Sequence, residues 1–312
     1  MQLSIIIPLY NEEESLPELT EWIERVMDQH NFDYEIIFID DGSTDNSWSV
    51  IKQLKEKNPR IRAYRFPRNY GKAAGLHVGF QKARGDVIIT MDADLQDSPD
   101  EIPEFYRMIA EEGYDLVSCW KKKRYDPWLS KNLPSKVFNF TARLVSGIKL
   151  HDFNCGLKAY KRKVAKAIEV YGDMHRYIPI LVKNAGFKKI GEKVVRHRPR
   201  KYGKSKYGWS RFLHGFLDLL TITFLSNFSK RPMHFFGSLG LLSFMIGFFI
   251  LLYLSYLKLF ENVTRISDRP LFYLGILTVI LGTQLFLTGF LGDMISRNSP
   301  LRNEYIIEEE LE

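Results

Sequence analysis

Cysteine is scarce in this chain: Cys119 and Cys155 are the only two among 312 residues. Two cysteines are too few for a disulfide framework and lack the spacing of a zinc site, so both are expected to be reduced thiols. A secretory signal peptide is also lacking, because the apolar run in the first residues, MQLSIIIPLYNEEE, is short and meets acidic side chains at once. The amino-terminal part is therefore expected to stay in the cytoplasm.

Two long segments near the carboxyl end, residues 232–257 and 270–292, lack Asp, Glu, Lys and Arg altogether. Each exceeds the ~20 residues that a helix needs to cross ~30 Å of hydrocarbon. Buried core helices are the alternative, but uncharged runs of this length are rare in soluble domains. The pattern predicts a transmembrane hairpin that follows a domain of ordinary globular composition.

Basic side chains are concentrated just before the first of these segments, and the net charge of the chain is +7. The connecting loop 258–269 holds only three of them, so the positive-inside rule places both termini in the cytoplasm. Beside a membrane, such a basic segment favours anionic lipid or a phosphate-bearing substrate as its partner. Nucleic acid is the weaker alternative, since the sequence shows neither an aromatic stacking motif nor a recognition-helix pattern.

Residues 208–228 carry aromatic and leucine side chains at helical three-and-four spacing, beginning with Trp209, Phe212 and Phe216. This spacing predicts an amphipathic helix, packed on a core or lying in the membrane interface, and its place before the hairpin favours the interface. The terminal EEELE is expected to be solvated, and the hairpin glycines are compatible with a homo-oligomer.

The predicted division has six parts: a cytoplasmic α/β domain, an amphipathic helix, a transmembrane helix, a short extracytoplasmic loop, a second transmembrane helix and a cytoplasmic tail. In that order they cover residues 1–207, 208–231, 232–257, 258–269, 270–292 and 293–312.

The amino-terminal part alternates apolar runs with helical patterns. Strands are predicted at 3–10, 34–43, 61–66 and 86–92, and helices between them at roughly 13–30, 45–57 and 71–84. Continuous apolar strands between helices are typical of a mostly parallel sheet covered on both faces. In such sheets ligands bind beyond the carboxyl ends of the strands.

Polar and acidic side chains follow three of these strand ends. They are Tyr10, Asn11, Glu12, Asp40, Asp41, Asp92, Asp94 and Gln96. Carboxylate and amide oxygens suit Mg²⁺ or Mn²⁺, and Asp94 and Gln96 are spaced to serve one ion. Such an ion would relieve the repulsion among the carboxylates that follow the fourth strand.

Four motifs, IIIPLYNEEESLPEL, IDDGSTDNS, RNYGKAAGLHVGF and GDVIITMDADLQDSPDEIP, resemble the successive motifs of the family 2 inverting glycosyltransferases. With the downstream RPRKYGKSKYG and the hairpin, MDADLQ is similar to the dolichyl- and polyprenyl-phosphate sugar synthases. The resemblance covers about residues 3–230 and implies a GT-A (Rossmann-like) domain followed by interfacial helices and a transmembrane hairpin. It further implies a metal-dependent enzyme of the inner (cell) membrane, which moves a hexose from a UDP-glucose or GDP-mannose type donor to undecaprenyl phosphate.

The resemblance also implies roles for individual residues. Donor-binding residues are Pro8, Tyr10, Asn11, Glu12, Asp40, Asp41, Lys72, Asp92 and Ala93. Residues that hold Mg²⁺ or Mn²⁺ are Asp92, Asp94 and Gln96. Residues for the acceptor phosphate are Lys121, Arg124, Lys131, Arg200, Ser205 and Lys206. Catalytic residues are Asp94, Asp152, Arg200 and Lys206.

One of these assignments leaves a structural alternative open, and two further residues have no single assignment. Asp152 is either an acceptor-side carboxylate or a turn or helix-cap residue. His175 and Arg176 are either a structural pair or part of the lining of the acceptor cleft.

A polyprenyl phosphate has a second pKa near ~6, so it is largely ionised at neutral pH and needs no strong general base. The site must instead position two phosphate groups, offset their repulsion and stabilise the departing diphosphate. A processive polysaccharide synthase is disfavoured because the chain lacks a Q-x-x-R-W motif and two helices cannot enclose a pore. A non-catalytic lipid-binding scaffold is disfavoured because Asp92, Asp94 and Gln96 are intact.

Overall fold

The computed structural model of the protein has two compact units. The described residues are 1–122, 133–172, 174–195, 198, 201–202, 232–261, 266–297 and 309–311. The predicted amphipathic helix 208–228 lies outside them.

Apolar runs of the amino-terminal part form one eight-stranded sheet. Its strands are β1 (Leu3–Leu9), β2 (Tyr34–Asp40), β3 (Ile61–Arg65), β4 (Val87–Thr90), β5 (Leu116–Trp120), β6 (Lys158–Lys161), β7 (Ile190–Val194) and β8 (Glu309–Leu311). The four predicted strands are confirmed, with ends that differ by three residues at most. Their near-complete burial explains why they read as continuous apolar runs.

The strand order is β7-β5-β6-β4-β1-β2-β3-β8. β4, β1, β2 and β3 are parallel, and β6 runs antiparallel to both β4 and β5. β5 therefore points the same way as β4. The carboxyl ends of β1 to β5 and the first residue of β6 meet at one edge of the sheet, which we call the rim. The predicted mostly parallel sheet is confirmed.

Helices cover the sheet between its strands. They are α1 (Leu16–Gln29), α2 (Ser47–Lys57), α3 (Lys72–Lys82), α4 (Ile102–Ala110), α5 (Leu133–Ser146), α6 (Arg162–Ala167) and α7 (Ile178–Asn184), with 3-10 turns at Pro99–Glu101 and Met174–Arg176. The packing of α3 on β1 is close, because a Cβ atom on Gly79 would collide with the side chain of Ile6. This close packing brings the first residue of α3, Lys72, to the rim.

The carboxyl-terminal tail adds a strand to the sheet. β8 pairs antiparallel with β3, with Leu311 opposite Ala63, and Leu311 packs partly buried against the core. The expectation of a solvated EEELE is therefore wrong. An unpaired edge strand exposes backbone N–H and C=O groups to association with other chains, and the tail covers that edge of β3.

We expect deletion of residues 303–312 to lower the unfolding temperature by about 2–4 °C, since it removes strand hydrogen bonds and about 1 kcal/mol of apolar burial. Light scattering on heating should begin earlier, because the edge of β3 is then uncovered. Leu311→Ser keeps the backbone pairing and should give a smaller loss. An unchanged unfolding temperature and unchanged scattering after the deletion would mean that the tail strand does not stabilise the sheet.

The two cysteines lie together at the core of this unit. Cys119 is in β5 and Cys155 precedes β6, both are buried, and their Cα atoms are 5.8 Å apart. That separation lies within the range that a disulfide spans. The prediction of two reduced thiols is wrong, because Cys119 and Cys155 form a disulfide in the structure. The antiparallel pairing of β5 with β6 brings them together.

The second unit contains two long apolar helices, Pro232–Phe260 and Pro270–Arg297, with a 3-10 turn at Ile266–Asp268 before the second. Both are long and apolar enough to cross a membrane, and only 17% of the most apolar window of each is buried. Core helices of soluble proteins bury far more of their apolar surface. Their outward leucines and phenylalanines thus suit a lipid environment.

Glycines hold these two helices close to each other. A Cβ atom on Gly240 would lie 2.6 Å from the carbonyl oxygen of Gly282, and one on Gly247 would lie 2.6 Å from that of Gly275. The Ser243 hydroxyl also donates to the Thr278 carbonyl across the interface, at 2.9 Å. The hairpin glycines therefore serve contacts within the chain. Homo-oligomerisation stays a prediction.

Candidate active site

The loop after β1 is tied to the loop after β2 by hydrogen bonds between neighbouring strand ends. Asn11 has a left-handed φ of 55°, its N–H donates to Ser43 Oγ at 2.9 Å, and its Oδ1 accepts from Thr44 N at 2.8 Å. The Glu12 N–H donates to Ser47 Oγ at 2.9 Å. The predicted donor residues at the end of β1, which are Pro8, Tyr10, Asn11 and Glu12, are all partly accessible at the rim.

Asp40 and Asp41, at the end of β2, are both buried. Asp40 accepts from Ser43 N at 2.9 Å and lies 3.5 Å from Arg65 Nε, and burial raises its pKa. Asp41 accepts from the N–H groups of Tyr70 and Gly71 at 2.7 and 2.9 Å. Burial raises the pKa of Asp41 to about 6, although the two hydrogen bonds by themselves would lower it. Asp41 therefore fixes the loop that leads into α3 and Lys72.

Lys72 and Asp92 form an ion pair at the centre of the rim. Burial favours the neutral acid of Asp92, but Lys72 outweighs it and, with Lys121 and Lys158, lowers the pKa of Asp92 to about 2. The Asp92 carboxylate is thus fully ionised at neutral pH while remaining a third exposed. Three lysines surrounding one carboxylate create a region able to receive further negative charge.

The loop after β4 alternates accessible and buried side chains. Asp92, Asp94 and Gln96 are partly accessible, whereas Ala93 and Leu95 are buried. Leu95 has a φ of 60°, uncommon for a non-glycine residue, and Asp94 Oδ1 accepts from Gln96 N at 3.2 Å. Burial of Ala93 and Leu95 holds this conformation, so the three polar side chains share the open side. Carboxylate and amide oxygens are ligands that suit a hard divalent cation, and the assignment of Asp92, Asp94 and Gln96 to such an ion stays a prediction.

Gly156, in the loop before the neighbouring strand β6, packs against Asp92. A Cβ atom on Gly156 would lie 2.6 Å from Asp92 Cγ, and the Gly156 carbonyl accepts from Thr90 Oγ1 at 2.9 Å. No side chain fits between these two residues without moving the carboxylate. This contact could not be predicted from the sequence, because Gly156 lies far from Asp92 along the chain.

We expect Gly156→Ala to lower kcat/KM by about 10²-fold, because the added methyl group would displace the Asp92 carboxylate. A displacement of about 1 Å in an active site has effects of that size. The unfolding temperature should change far less, because Asp92 is at an accessible edge and can shift towards solvent. Steady-state kinetics and thermal unfolding on the same preparation check this. Full activity in the variant would show that the position of Asp92 is not critical.

Two further lysines at the rim are largely buried. One contacts a carboxylate and the other a backbone carbonyl. Lys121, just past β5, lies 2.6 Å from Asp97 Oδ1, with side chains 12% and 0% exposed. Lys158, the first residue of β6, donates to the Cys155 carbonyl, and its burial lowers its pKa to about 8. Lys121 was predicted as an acceptor-phosphate residue. Lys158 was missed, because β6 is too short to be recognised and runs antiparallel.

Asp152 is buried in the loop before β6, where its Oδ1 accepts from Asn154 N at 3.1 Å. A hydrogen bond of this kind is typical of an aspartate in a turn. The charge of Asp152 also acts on Lys158. His175 lies where Lys72, Lys158 and Asp92 act on it electrostatically, and burial, followed by repulsion from Lys72, lowers its pKa well below the usual value. Its neighbour Arg176 is buried. The structure thus brings His175 towards the rim.

Part of the basic segment after β7 lies on α1, beside the loop that carries Asp94. Arg198 N donates to the Gln96 carbonyl at 3.2 Å, and its guanidinium lies 4.2 Å from the ring centroid of Trp22. Lys201 and Tyr202 both contact the Glu18 carboxylate, at 2.7 and 3.2 Å. The other predicted acceptor residues lie outside the described residues; they are Arg124, Lys131, Arg200, Ser205 and Lys206.

Comparison with known proteins matches residues 4–169 to the sequence family described as glycosyl transferase family 2. The chain is 37% identical over 301 residues to a dodecaprenyl-phosphate galacturonate synthase of Rhizobium johnstonii, covering 95% of this chain and 88% of that protein. It is 34% identical over 297 residues to an undecaprenyl-phosphate 4-deoxy-4-formamido-L-arabinose transferase of Proteus mirabilis, covering 95% and 89%.

Among solved structures, the fold is similar to that of glucosyl-3-phosphoglycerate synthase from Mycobacterium tuberculosis. The complex of that enzyme with Mn²⁺, UDP-glucose and phosphoglyceric acid gives a TM-score of 0.57 at 18% identity, covering 71% of this chain and 79% of that one. The complex with UDP gives 0.56 at 19% identity, covering 71% and 80%. At this identity the comparison concerns the fold alone, and it confirms the predicted GT-A architecture.

Proposed function

The chain belongs to glycosyl transferase family 2 and is a glycosyltransferase, and we propose that it transfers a sugar from a nucleotide diphosphate to a polyprenyl phosphate at a membrane surface. The observation that carries the proposal is the rim itself. Asp92, Asp94 and Gln96 are partly accessible there, and the charges of Lys72, Lys121 and Lys158 act on Asp92. That combination suits a sugar diphosphate and a second phosphate in one site.

The names of the relatives support the acceptor class. The protein from R. johnstonii is named a dodecaprenyl-phosphate galacturonate synthase, and that from P. mirabilis an undecaprenyl-phosphate 4-deoxy-4-formamido-L-arabinose transferase. This chain aligns with nearly the whole length of each. The two long apolar helices fit an enzyme whose acceptor lies in a bilayer. We propose undecaprenyl phosphate as acceptor and the inner (cell) membrane as location, with the catalytic unit and both termini cytoplasmic.

For the donor we propose a UDP-glucose or GDP-mannose type of nucleotide sugar. Asp40 is held by Ser43 and Arg65 at the end of β2, where a nucleoside would meet the loops tied together by Asn11. Asp92, Asp94 and Gln96 would hold Mg²⁺ or Mn²⁺. When bound, such an ion supplies a Lewis acid that neutralises the diphosphate.

In the proposed reaction, an oxygen of the lipid phosphate forms a bond to the anomeric carbon of the sugar. The bond from that carbon to the nucleoside diphosphate breaks, the electron pair leaves with the diphosphate, and the configuration is inverted. Lys72 and Lys121 place positive charge where two phosphate groups approach, which lowers their mutual repulsion. Proton removal is a minor requirement, because the acceptor is mostly ionised at neutral pH.

The experiment is transfer from a panel of UDP- and GDP-sugars to farnesyl phosphate by the purified full chain in detergent. The panel includes glucose, mannose, galacturonic acid and an arabinose derivative. One donor should give a lipid-linked monosaccharide by mass spectrometry, with an inverted anomeric centre by proton NMR. Retention of configuration, or no product from any donor with Mg²⁺ or Mn²⁺ present, would refute the proposal.

The proposed topology has its own test. In sealed, inverted membrane vesicles, added protease should remove the catalytic unit and leave the hairpin protected. A tag inserted in the loop 258–269 should resist the protease until the vesicles are opened. Protection of the catalytic unit would reverse the assignment of sides.

A further inference from the structure

An exposed histidine beside the rim is held rigidly by three contacts. His151 Nδ1 lies 2.7 Å from Glu192 Oε2, and the His151 backbone N–H donates to Glu192 Oε1 at 2.7 Å. Its imidazole stacks on the indole of Trp120, with centroids 4.0 Å apart and planes 10° from parallel. The His151 side chain nevertheless remains 52% exposed. Holding an exposed side chain so firmly costs conformational entropy, and that cost suggests a use for the fixed ring.

The sheet register explains this assembly. β5 and β7 are parallel, with Ser118 opposite Glu192 and Trp120 opposite Val194, so Trp120 and Glu192 lie on one face. The same Glu192 carboxylate accepts from Asp152 N at 3.1 Å, and Ser118 Oγ donates to the Asp152 carbonyl at 3.3 Å. The loop that carries His151 is thereby fixed to the end of β5, where Lys121 follows Trp120.

The orientation of the imidazole leaves its second nitrogen available. A carboxylate at Nδ1 accepts the Nδ1–H of the ring and directs Nε2 away from that carboxylate. In the imidazolium form both ring nitrogens carry a proton, so Nε2 is then a second donor. Within the part of the chain that the structure describes, no residue hydrogen-bonds to His151 Nε2. In the imidazolium form, a fixed imidazole edge that is open to solvent is suited to an anionic oxygen, and the ring stacks on Trp120, the residue before Lys121.

We propose that His151, held by Glu192 and Trp120, is a further binding residue for the phosphate of the acceptor. This inference rests on the proposed function and adds a residue that the family motifs did not indicate. The location supports the acceptor rather than the donor, because the assembly sits at the ends of β5 and β7, whereas the residues predicted for the donor follow β1, β2 and β4. Lys121 would contact the same phosphate from the adjoining position.

The test compares His151→Ala and His151→Gln with the wild type, using farnesyl phosphate as acceptor. Loss of one charge-assisted hydrogen bond should raise the KM for farnesyl phosphate about tenfold in His151→Ala, with the donor KM unchanged. Glutamine retains an N–H donor and should recover part of the loss. Glu192→Gln should show a smaller rise, because it disturbs only the orientation. The matched control is His30→Ala, an exposed histidine at the end of α1, remote from the rim.

A spectroscopic measurement separates binding from support of the loop. In protein with ¹⁵N-labelled histidine, the Nε2 resonance of His151 is identified by its absence from His151→Gln. Farnesyl phosphate should shift that resonance in the wild type. An unchanged acceptor KM in His151→Ala, or a rise in both KM values with a lower unfolding temperature, would overturn the inference. Wild-type protein that transfers no sugar to farnesyl phosphate would refute the proposed function itself, and that failure is visible without any variant.

Discussion

Asp94→Ala is expected to lower the rate of sugar transfer by about 10²–10³-fold while leaving the fold intact, the range seen when one preorganised electrostatic contact is lost. Asp94 is partly accessible on the open side of the rim, and its Oδ1 accepts from Gln96 N at 3.2 Å within its own loop. Buried Ala93 and Leu95 hold that loop from the other side, so the methyl group of alanine leaves the packing unchanged. Activity should therefore fall without a matching fall in unfolding temperature.

Asp86→Ala is the matched control, because Asp86 directly precedes the same strand, β4, at the opposite edge of the sheet and is 75% exposed. It should transfer sugar at the wild-type rate. Mn²⁺ bound to the protein, followed by electron paramagnetic resonance, should be lost in Asp94→Ala and kept in Asp86→Ala. A chelator should abolish wild-type activity, and Mg²⁺ or Mn²⁺ should restore it. Retention of both Mn²⁺ binding and transfer in Asp94→Ala would remove the loop after β4 from the mechanism.

The centre of the fold and half of the rim could be predicted because their signals are local. Strands β1, β2 and β4 are buried and largely apolar, and each is followed closely by the polar residues of the rim. Asp92, Asp94 and Gln96 belong to one loop, so their spacing alone indicates that they face the same side. Parallel topology then places that loop beside Asp40 and Glu12 without further information.

The other half of the rim depends on contacts between distant segments, which single-sequence patterns do not show. Lys158 and Gly156 reach Asp92 only because the four-residue strand β6 inserts antiparallel between β4 and β5. The same pairing brings Cys119 to Cys155. β8 contains acidic residues, which are typical of a solvated tail, but it pairs with the edge strand β3 through backbone hydrogen bonds. Side-chain chemistry did not indicate that pairing.

Lys121→Met is expected to lower both stability and acceptor use, because Lys121 is the partner of a carboxylate that is 0% exposed. Removing one member of a buried ion pair leaves an uncompensated charge, at a cost of about 3–5 kcal/mol. We expect the lower end, about 3 kcal/mol, since the charge of Lys158 also acts on Asp97. For a unit of this size that corresponds to an unfolding temperature lower by roughly 6–12 °C. Loss of a phosphate contact should also lower kcat/KM for farnesyl phosphate by about a hundredfold or more.

The double variant Lys121→Met with Asp97→Asn separates these two effects. Asparagine removes the buried negative charge that methionine left unpaired, so most of the lost unfolding temperature should return. Acceptor use should stay low, because neither methionine nor asparagine supplies the missing cation to a phosphate. If activity instead returns together with stability, Lys121 only balances Asp97, and the acceptor phosphate must then be bound by other basic residues, with His151 as the described candidate. Stability that does not return would mean that the ammonium group of Lys121 is needed for packing at the end of β5 whatever the charge on Asp97.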